Sequence, residues 1–544
     1  MNRKSVSNSR RHFLGQVGGL TTATIATGLL NVEGTAQDEA AQSFPNKREA
    51  RANQAMQLRN QAAEAQRKLP FTPHQNNGDE DLYANRIACY SKALLHNDLG
   101  EVNLKAYESL LQALKTCKND DYELIQLGGS VKLANPQAAM AFEMEGADPH
   151  HLSMPPPPSF NSAEQAGEMV ELYWHAVTRD VHFSDYEENQ FTTQAAVELS
   201  QLTAFRGPKN SGNVIPATLF RGNLPGDLVG PYLSQFLWLD IPYGAMTIQQ
   251  RYNVPQAEND QMTFYEDWLN IQNGGPGISN YMDELPRYLR NGRDLAGWVH
   301  KDFSYQGFLN AALILLNWGQ PALDPYNPYV GSATQGGFCT FGGPYILDLV
   351  SRVANAALKT AWYQKWHVHR RIRPEEYGGR IHNHLTKTTQ YDLHPEVLNA
   401  SVLEIVNNET ETYLLPQAYP EGCPTHPAYP SGHAIIAGAC ATVLKAYFNE
   451  NFVIPNPMIA NADGTALEQY PVTGLRAGGE INKLASNIAF GRNIAGIHWR
   501  SDATEGLKLG EAVAIGILTD LKTTCHEKFR GFRLTKFDGA TVVV

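Results

Sequence analysis

The chain holds 544 residues, 42% hydrophobic and 18% charged, which is enough for a large core in one oversized domain or in two to three ordinary ones. A net charge of −11 and a pI near 5.9 argue against nucleic acid as the main partner. An acidic chain that carries a local cluster of cations points instead to a small anion held inside.

Ser9-Arg10-Arg11-His12-Phe13-Leu14 forms a twin-arginine pattern. A small, apolar and uncharged run from Gly15 to Leu30 follows, and Gly34-Thr35-Ala36 offers a small-residue cleavage site. Residues 1–36 are therefore expected to be an export signal, delivering a bacterial protein to the periplasm or the medium. The plainer alternative is a basic tail that happens to hold two arginines. No later stretch approaches the ~18 uninterrupted apolar residues that a spanning helix needs, so no membrane span is expected. Residues 37–80 are polar and rich in Ala, Gln and Asn, and read as a surface arm or frayed helix. Residues 81–544 are expected to form a single large helical domain.

Within that domain, Pro155–Pro158 stops any helix and forms a stiff connector. A helix is predicted from Ser162 to Arg179, where Met169, Leu172, Tyr173 and Ala176 recur at helical spacing. From Phe205 to Pro255 the chain is rich in Gly, Pro and aromatic residues, a composition that suits structured loops packed on a helical body. Helical periodicity returns at 306–318, 344–370, 432–448 and 502–522, while alternating strand patterns are scarce. The expected class is all-α, built as helical bundles with long decorated loops. The six cysteines contain no C-x2-C pair, which argues against a structural zinc site. Cys440, in an apolar run, reads as a buried free thiol, and an oxidising compartment would permit disulfides among the others.

Three separated segments, within residues 362–502, carry the chemistry. In the first, Lys365 and Arg373 are separated by seven residues, and Pro374 follows. Pro344 suits the first turn of a helix that must break by Ile372. Lys supplies a compact charge and Arg a planar fork for two oxygens. Taken alone, two cations near a helix C-terminus are more often solvated dipole partners. His367, His369, Arg370 and Arg371 beside them read as surface residues or as supports behind the site. In the second segment, Ser431 is a good N-cap for a buried helix, Gly432 lets a ligand approach the backbone, and His433 follows. In the third, Arg492 precedes a His498–Asp502 pair, four residues apart. That spacing lets the carboxylate hold one imidazole nitrogen and frees the other as nucleophile or metal ligand. Either pattern alone has a purely structural reading. Together they bring three cations, a hydroxyl, a backbone N–H and two imidazoles, the donor set that a tetrahedral oxyanion such as phosphate or vanadate requires.

In this order the segments resemble the signature shared by type 2 phosphatidic acid phosphatases, bacterial acid phosphatases and vanadium haloperoxidases. The phosphatases usually have one residue fewer between the Lys and the Arg-Pro, and a Ser where this chain has Gly491. The runs from Trp362 to Glu375 (WYQKWHVHRRIRPE), from Pro424 to His433 (PTHPAYPSGH) and from Leu219 to Tyr232 (LFRGNLPGDLVGPY) resemble the algal and cyanobacterial vanadium bromoperoxidases. The likeness covers most of the chain from about residue 80 onward.

That resemblance implies a vanadate cofactor, with His498 as the axial metal ligand. Lys365, Arg373 and Arg492 would neutralise its oxygens, Ser431 and Gly432 would donate hydrogen bonds, and His433 would act as general acid and base. Asp502 would hold His498. Lys365 would also polarise bound hydrogen peroxide for attack by halide, giving a hypohalous acid equivalent that halogenates small organic acceptors. His426 occupies a position that is His in bromoperoxidases and aromatic in fungal chloroperoxidases, which favours bromide and iodide over chloride. The resemblance further implies a homodimer or larger assembly. Two other readings of the same residues stay open. One is a secreted acid phosphatase with His498 as nucleophile and His433 as leaving-group acid. The other is a protein that binds an oxyanion without reacting, against which the two histidines His433 and His426 argue.

Overall fold

A computed structural model describes residues 48–70, 73–277 and 279–544, so the twin-arginine segment lies outside the described residues. The chain divides into two compact units after Lys68. In the first, α1 (Arg48–Arg67) is a polar helix with no buried residue. The expected boundary near residue 80 falls earlier, because Asp79 and Glu80 already belong to the second unit. Asp79 is buried and accepts from Phe160 N–H at 2.9 Å, and Glu80 accepts from the Tyr107 hydroxyl at 2.8 Å.

The longer helices of the second unit are α2 (Leu104–Thr116), α3 (Ala163–Thr178), α4 (Gln190–Gln201), α5 (Gly292–Lys301), α6 (Gln306–Asn317), α7 (Gly343–Tyr363) and α8 (Pro374–Leu385). They continue with α9 (Ser401–Thr410), α10 (Gly432–Tyr447), α11 (Ala477–Ile494) and α12 (Arg500–Thr524). Among the described residues the strands form three two-stranded antiparallel hairpins: β1–β2 (Ile241–Tyr243 with Met246–Ile248), β3–β4 (Met458–Ala460 with Leu467–Gln469) and β5–β6 (Arg533–Thr535 with Thr541–Val543). The protein is thus mainly helical, as its periodicity predicts. The Gly- and aromatic-rich stretch before residue 255 adds the short hairpin β1–β2, which no alternating pattern announces.

The core is organised around α10. Every residue from Ala434 to Tyr447 is buried, as a helix apolar on all sides must be in a globular protein. It packs most extensively on α12, then on α7 and α11. The crossing with α12 is set by glycine. A Cβ on Gly438 would stand 2.1 Å from Leu507 O, and one on Gly510 would stand 2.0 Å from Ile435 O. Each helix therefore lies against the bare backbone of the other. The Ser431 N–H donates to Asp502 O at 3.0 Å, so the N-termini of α10 and α12 meet.

Helix α7 begins with Pro344 in its first turn and continues as a π-helical stretch over Gln364–His369. Arg370, at φ 39°, stops it in the left-handed region. Glu80 and Trp366 O hold the Arg370 guanidinium and with it this uncommon backbone. Arg373 then caps α8, its N–H donating to Glu376 Oε2 at 3.0 Å. Helix α3 opens on Ser162, whose hydroxyl accepts from Gln165 N–H, as predicted. All six cysteines are free thiols, with Cys440 buried.

Candidate active site

The three segments converge. Lys365, Arg373, Ser431 and Asp502 are inaccessible to solvent, and Arg492, His498 and His426 are nearly so. The two cations of the first segment are therefore not solvated helix-end partners. Lys365 Nζ donates to Pro427 O at 2.7 Å and Ala428 O at 2.9 Å. Arg373 donates through Nε to His426 O and through Nη2 to His426 Nδ1, both at 2.9 Å. Its Nη1 donates to Ile497 O at 2.9 Å and to His498 Nε2 at 3.1 Å. Arg492 Nη1 donates to Val299 O at 2.9 Å and to the Tyr419 hydroxyl at 3.2 Å. Among the described residues, none of these cations forms an ion pair with a carboxylate (Asp502 instead contacts His498 and Arg371).

His498 and Asp502 meet across the entry to α12 rather than within a helical turn. His498 Nδ1 lies 2.7 Å from Asp502 Oδ2. Burial, then Arg373, Lys365 and Arg492, hold the His498 pKa well below its ordinary value. Nδ1 of the ring faces the carboxylate, and Nε2 faces Arg373 Nη1. Burial pushes Asp502 up, opposed by Arg371 and Lys365. Lys365 is pushed well down by burial and by the neighbouring Arg373 and Arg492 charges. His426 is likewise pushed well down, by burial and by Lys365 and Arg373.

Ser431 is the N-cap of α10, accepting from Ala434 N–H at 3.3 Å. A Cβ placed on Gly432 would meet only Leu358 at 3.7 Å and Trp362 at 3.8 Å, which is ordinary contact. Glycine thus leaves room for about one side-chain atom beside the backbone there. His433 is not drawn into the buried cluster. Its side chain keeps 25% of its exposure, and its Nε2 lies 2.9 Å from Asp302 Oδ1.

Four further residues complete the site. Arg371, buried rather than on the surface, donates to Asp502 Oδ1 at 2.8 Å and to Glu168 Oε2 at 2.9 Å. Its guanidinium also lies over the rings of Trp499 and Tyr429. Glu168 on α3 accepts in addition from Ser501 N–H and hydroxyl. Asp302 orients His433, and Tyr419 contacts Arg492. His367 and His369 lie within the π-helical stretch, both pushed down by burial.

Residues 347–526 match the family described as VCPO second helical-bundle domain. The chain is 34% identical to the vanadium-dependent bromoperoxidase of Corallina officinalis, over 91% of this chain and 99% of that protein. It belongs to the vanadium-dependent bromoperoxidase family. Its identity to the Ascophyllum nodosum member is 36%, over 92% of this chain and 93% of that one. The solved homohexameric second vanadate-dependent bromoperoxidase from Ascophyllum nodosum superposes with a TM-score of 0.89 at 30% identity, covering 99% of this chain and 94% of that chain. The bromoperoxidase relatives do not favour the acid phosphatase alternative. Among the described residues no helix is long and apolar enough to cross a membrane, and no group of His, Cys, Asp or Glu is arranged to hold a metal by itself.

The donor set fits an oxyanion. Among the described residues, Lys365, Arg373 and Arg492 lack carboxylate partners and the buried Arg492 Nε has no hydrogen-bond partner, and Gly432 leaves the room that a Cβ would fill.

Proposed function

We propose that this chain oxidises bromide and iodide with hydrogen peroxide, using vanadate as cofactor, and releases a hypohalous acid equivalent that halogenates small organic acceptors. The observation that carries this reading is the cluster of three buried basic side chains without carboxylate partners among the described residues, one of which, Arg373, reaches His498 Nε2 at 3.1 Å. Lys365, Arg373 and Arg492 would hold the oxyanion by charge, the Ser431 hydroxyl and Gly432 N–H by hydrogen bonds, and His498 Nε2 would be the metal ligand. Vanadate, when bound, supplies Lewis-acid activation of peroxide without changing oxidation state. Asp502 keeps the proton on His498 Nδ1 and so keeps Nε2 free to bind. Asp302 holds His433 by Nε2, which leaves Nδ1 to exchange protons with peroxide. Lys365, with two of its N–H bonds anchored to carbonyls, would direct its remaining N–H at the bound oxyanion or peroxide.

The test is bromination by the purified protein with hydrogen peroxide and bromide, with and without orthovanadate. Activity that depends on vanadate and is inhibited by phosphate is expected. Phosphomonoester hydrolysis blocked by vanadate, without bromination, would overturn the reading.

Halide choice is assigned to His426, which bridges Arg373 and the indole of Trp362, their rings 4.8 Å apart. His426→Ala should change the ratio of bromide to chloride oxidation or the vanadate affinity. If both stay at parent values, His426 serves only packing.

The twin-arginine pattern supports export of a folded bacterial protein, and the homohexameric Ascophyllum nodosum relative supports an assembly of two or more identical subunits. Cell fractionation and light scattering test these readings. Cytoplasmic retention of the full chain would overturn the first, and a monomer the second.

A further inference from the structure

Of the three cations, Arg492 is tethered least by backbone. Lys365 reaches two carbonyls and Arg373 reaches two carbonyls and two imidazoles. Arg492 has one carbonyl, Val299 O, and one side-chain partner, the Tyr419 hydroxyl. Its guanidinium carbon also lies 5.0 Å from the centre of the Tyr419 ring. The Tyr419 hydroxyl donates to Ala296 O at 2.7 Å. A hydroxyl that gives its proton away in one direction is a better acceptor in the other, and here the other direction is Arg492. The ring is itself clamped. His300 stacks on it with centroids 3.8 Å apart and planes 9° apart, and His300 Nε2 lies 2.5 Å from Glu421 Oε1.

We propose that Tyr419 is a positioning residue for vanadate binding, which holds Arg492 in the oxyanion cradle through its hydroxyl while the His300–Glu421 pair fixes its ring. The inference rests on the vanadate reading above. An arginine side chain surrenders much rotamer freedom when it grips an oxyanion. Ordering it beforehand removes that cost from the binding step.

Tyr419→Phe keeps the ring, its stack on His300 and its contact with the guanidinium, and deletes only the hydroxyl. Binding of orthovanadate and of inorganic phosphate to the vanadate-free full chain is measured by titration calorimetry. Both dissociation constants should rise about three- to tenfold, the scale of ordering one long side chain at the moment of binding. The bromide KM should hold, and saturating vanadate should restore kcat. In an Arg492→Ala background the same change should cost nothing further, a result that general loosening of the fold would not give. If thermal unfolding shows Tyr419→Phe to be misfolded, Glu421→Gln is used instead. It loosens only the clamp on His300 and should weaken both oxyanions in the same direction by less. A parent that binds both oxyanions, with a variant that matches it, would overturn this inference alone. An equal loss in the Arg492→Ala background would do the same. A parent that binds neither would overturn the vanadate reading and this inference with it.

Discussion

His498→Ala is expected to abolish vanadate-dependent bromination, while the protein still binds inorganic phosphate. Disturbing a residue that merely orients a metal ligand costs about 10–100-fold in affinity or activity, so deleting the ligand itself should cost at least about 100-fold. The three cations remain in the variant, and they attract any small oxyanion. Vanadate and phosphate differ in that the metal accepts a lone pair from Nε2 and phosphorus at rest does not. The comparison therefore separates coordination from charge. Titration of both anions, with the bromination assay alongside, provides the readout. Vanadate-dependent activity within a fewfold of the parent would remove His498 from its assigned role. Loss of both anions together would mean that the imidazole matters chiefly for the shape of the cradle.

The second large effect is on stability. Arg371→Met should destabilise the fold by about 3–5 kcal/mol, the usual cost of stripping one partner from a buried ion pair. Arg371 is flanked by Asp502 and Glu168, both buried. Methionine would fill the volume between Trp499 and Tyr429 but would leave two carboxylates without a cation. The pH dependence has a definite sign. Burial already pushes Asp502 up, and Arg371 is the largest opposing influence. Without Arg371 the folded state takes up a proton at Asp502 at a pH where the unfolded chain does not. A carboxyl raised in this way loses stability as pH rises through its folded pKa, so the deficit of the variant should shrink on acidification and widen toward neutral pH. Denaturant unfolding at several pH values measures this. A deficit below about 1 kcal/mol, with no dependence on pH, would show that water reaches the two carboxylates and that the pair is not dry.

Much of the cradle was legible because its parts are local. Ser431 announces an N-cap, the spacing of His498 and Asp502 brings them together across one helix entry, and the basic run around Lys365 and Arg373, closed by Pro374, marks a helix that must stop. The supporting residues were not legible. Arg371 sits in a run of basic residues, His367 to Arg373, that gives no sign of which members face inward. That is settled by the π-helical stretch and the left-handed Arg370, neither of which has a composition signal. Asp302 lies 131 residues from His433, and Glu168 lies 203 from Arg371. Glu168 occupies a helix whose apolar spacing was clear, yet periodicity marks its face as core and cannot say that a carboxylate is buried there to meet an arginine. Tyr419 falls in a loop between better signals. Such pairings come from how helices cross, and no window of sequence contains both members.

The crossing of α10 and α12 has a consequence for how this scaffold tolerates change. Two glycines, Gly438 and Gly510, let the backbones touch, and the helix starts that present Ser431, Gly432 and Asp502 are registered by that touch rather than by the intervening chain. The 52 residues between Tyr447 and Arg500 include the hairpin β3–β4, which is held by Gln235, Arg287 and Tyr288 rather than by the crossing. Insertions at the hairpin's exposed turn should therefore leave the crossing in place, as long as the two positions without side chains stay bare. A single methyl group at either one would do more to the chemistry than a new loop.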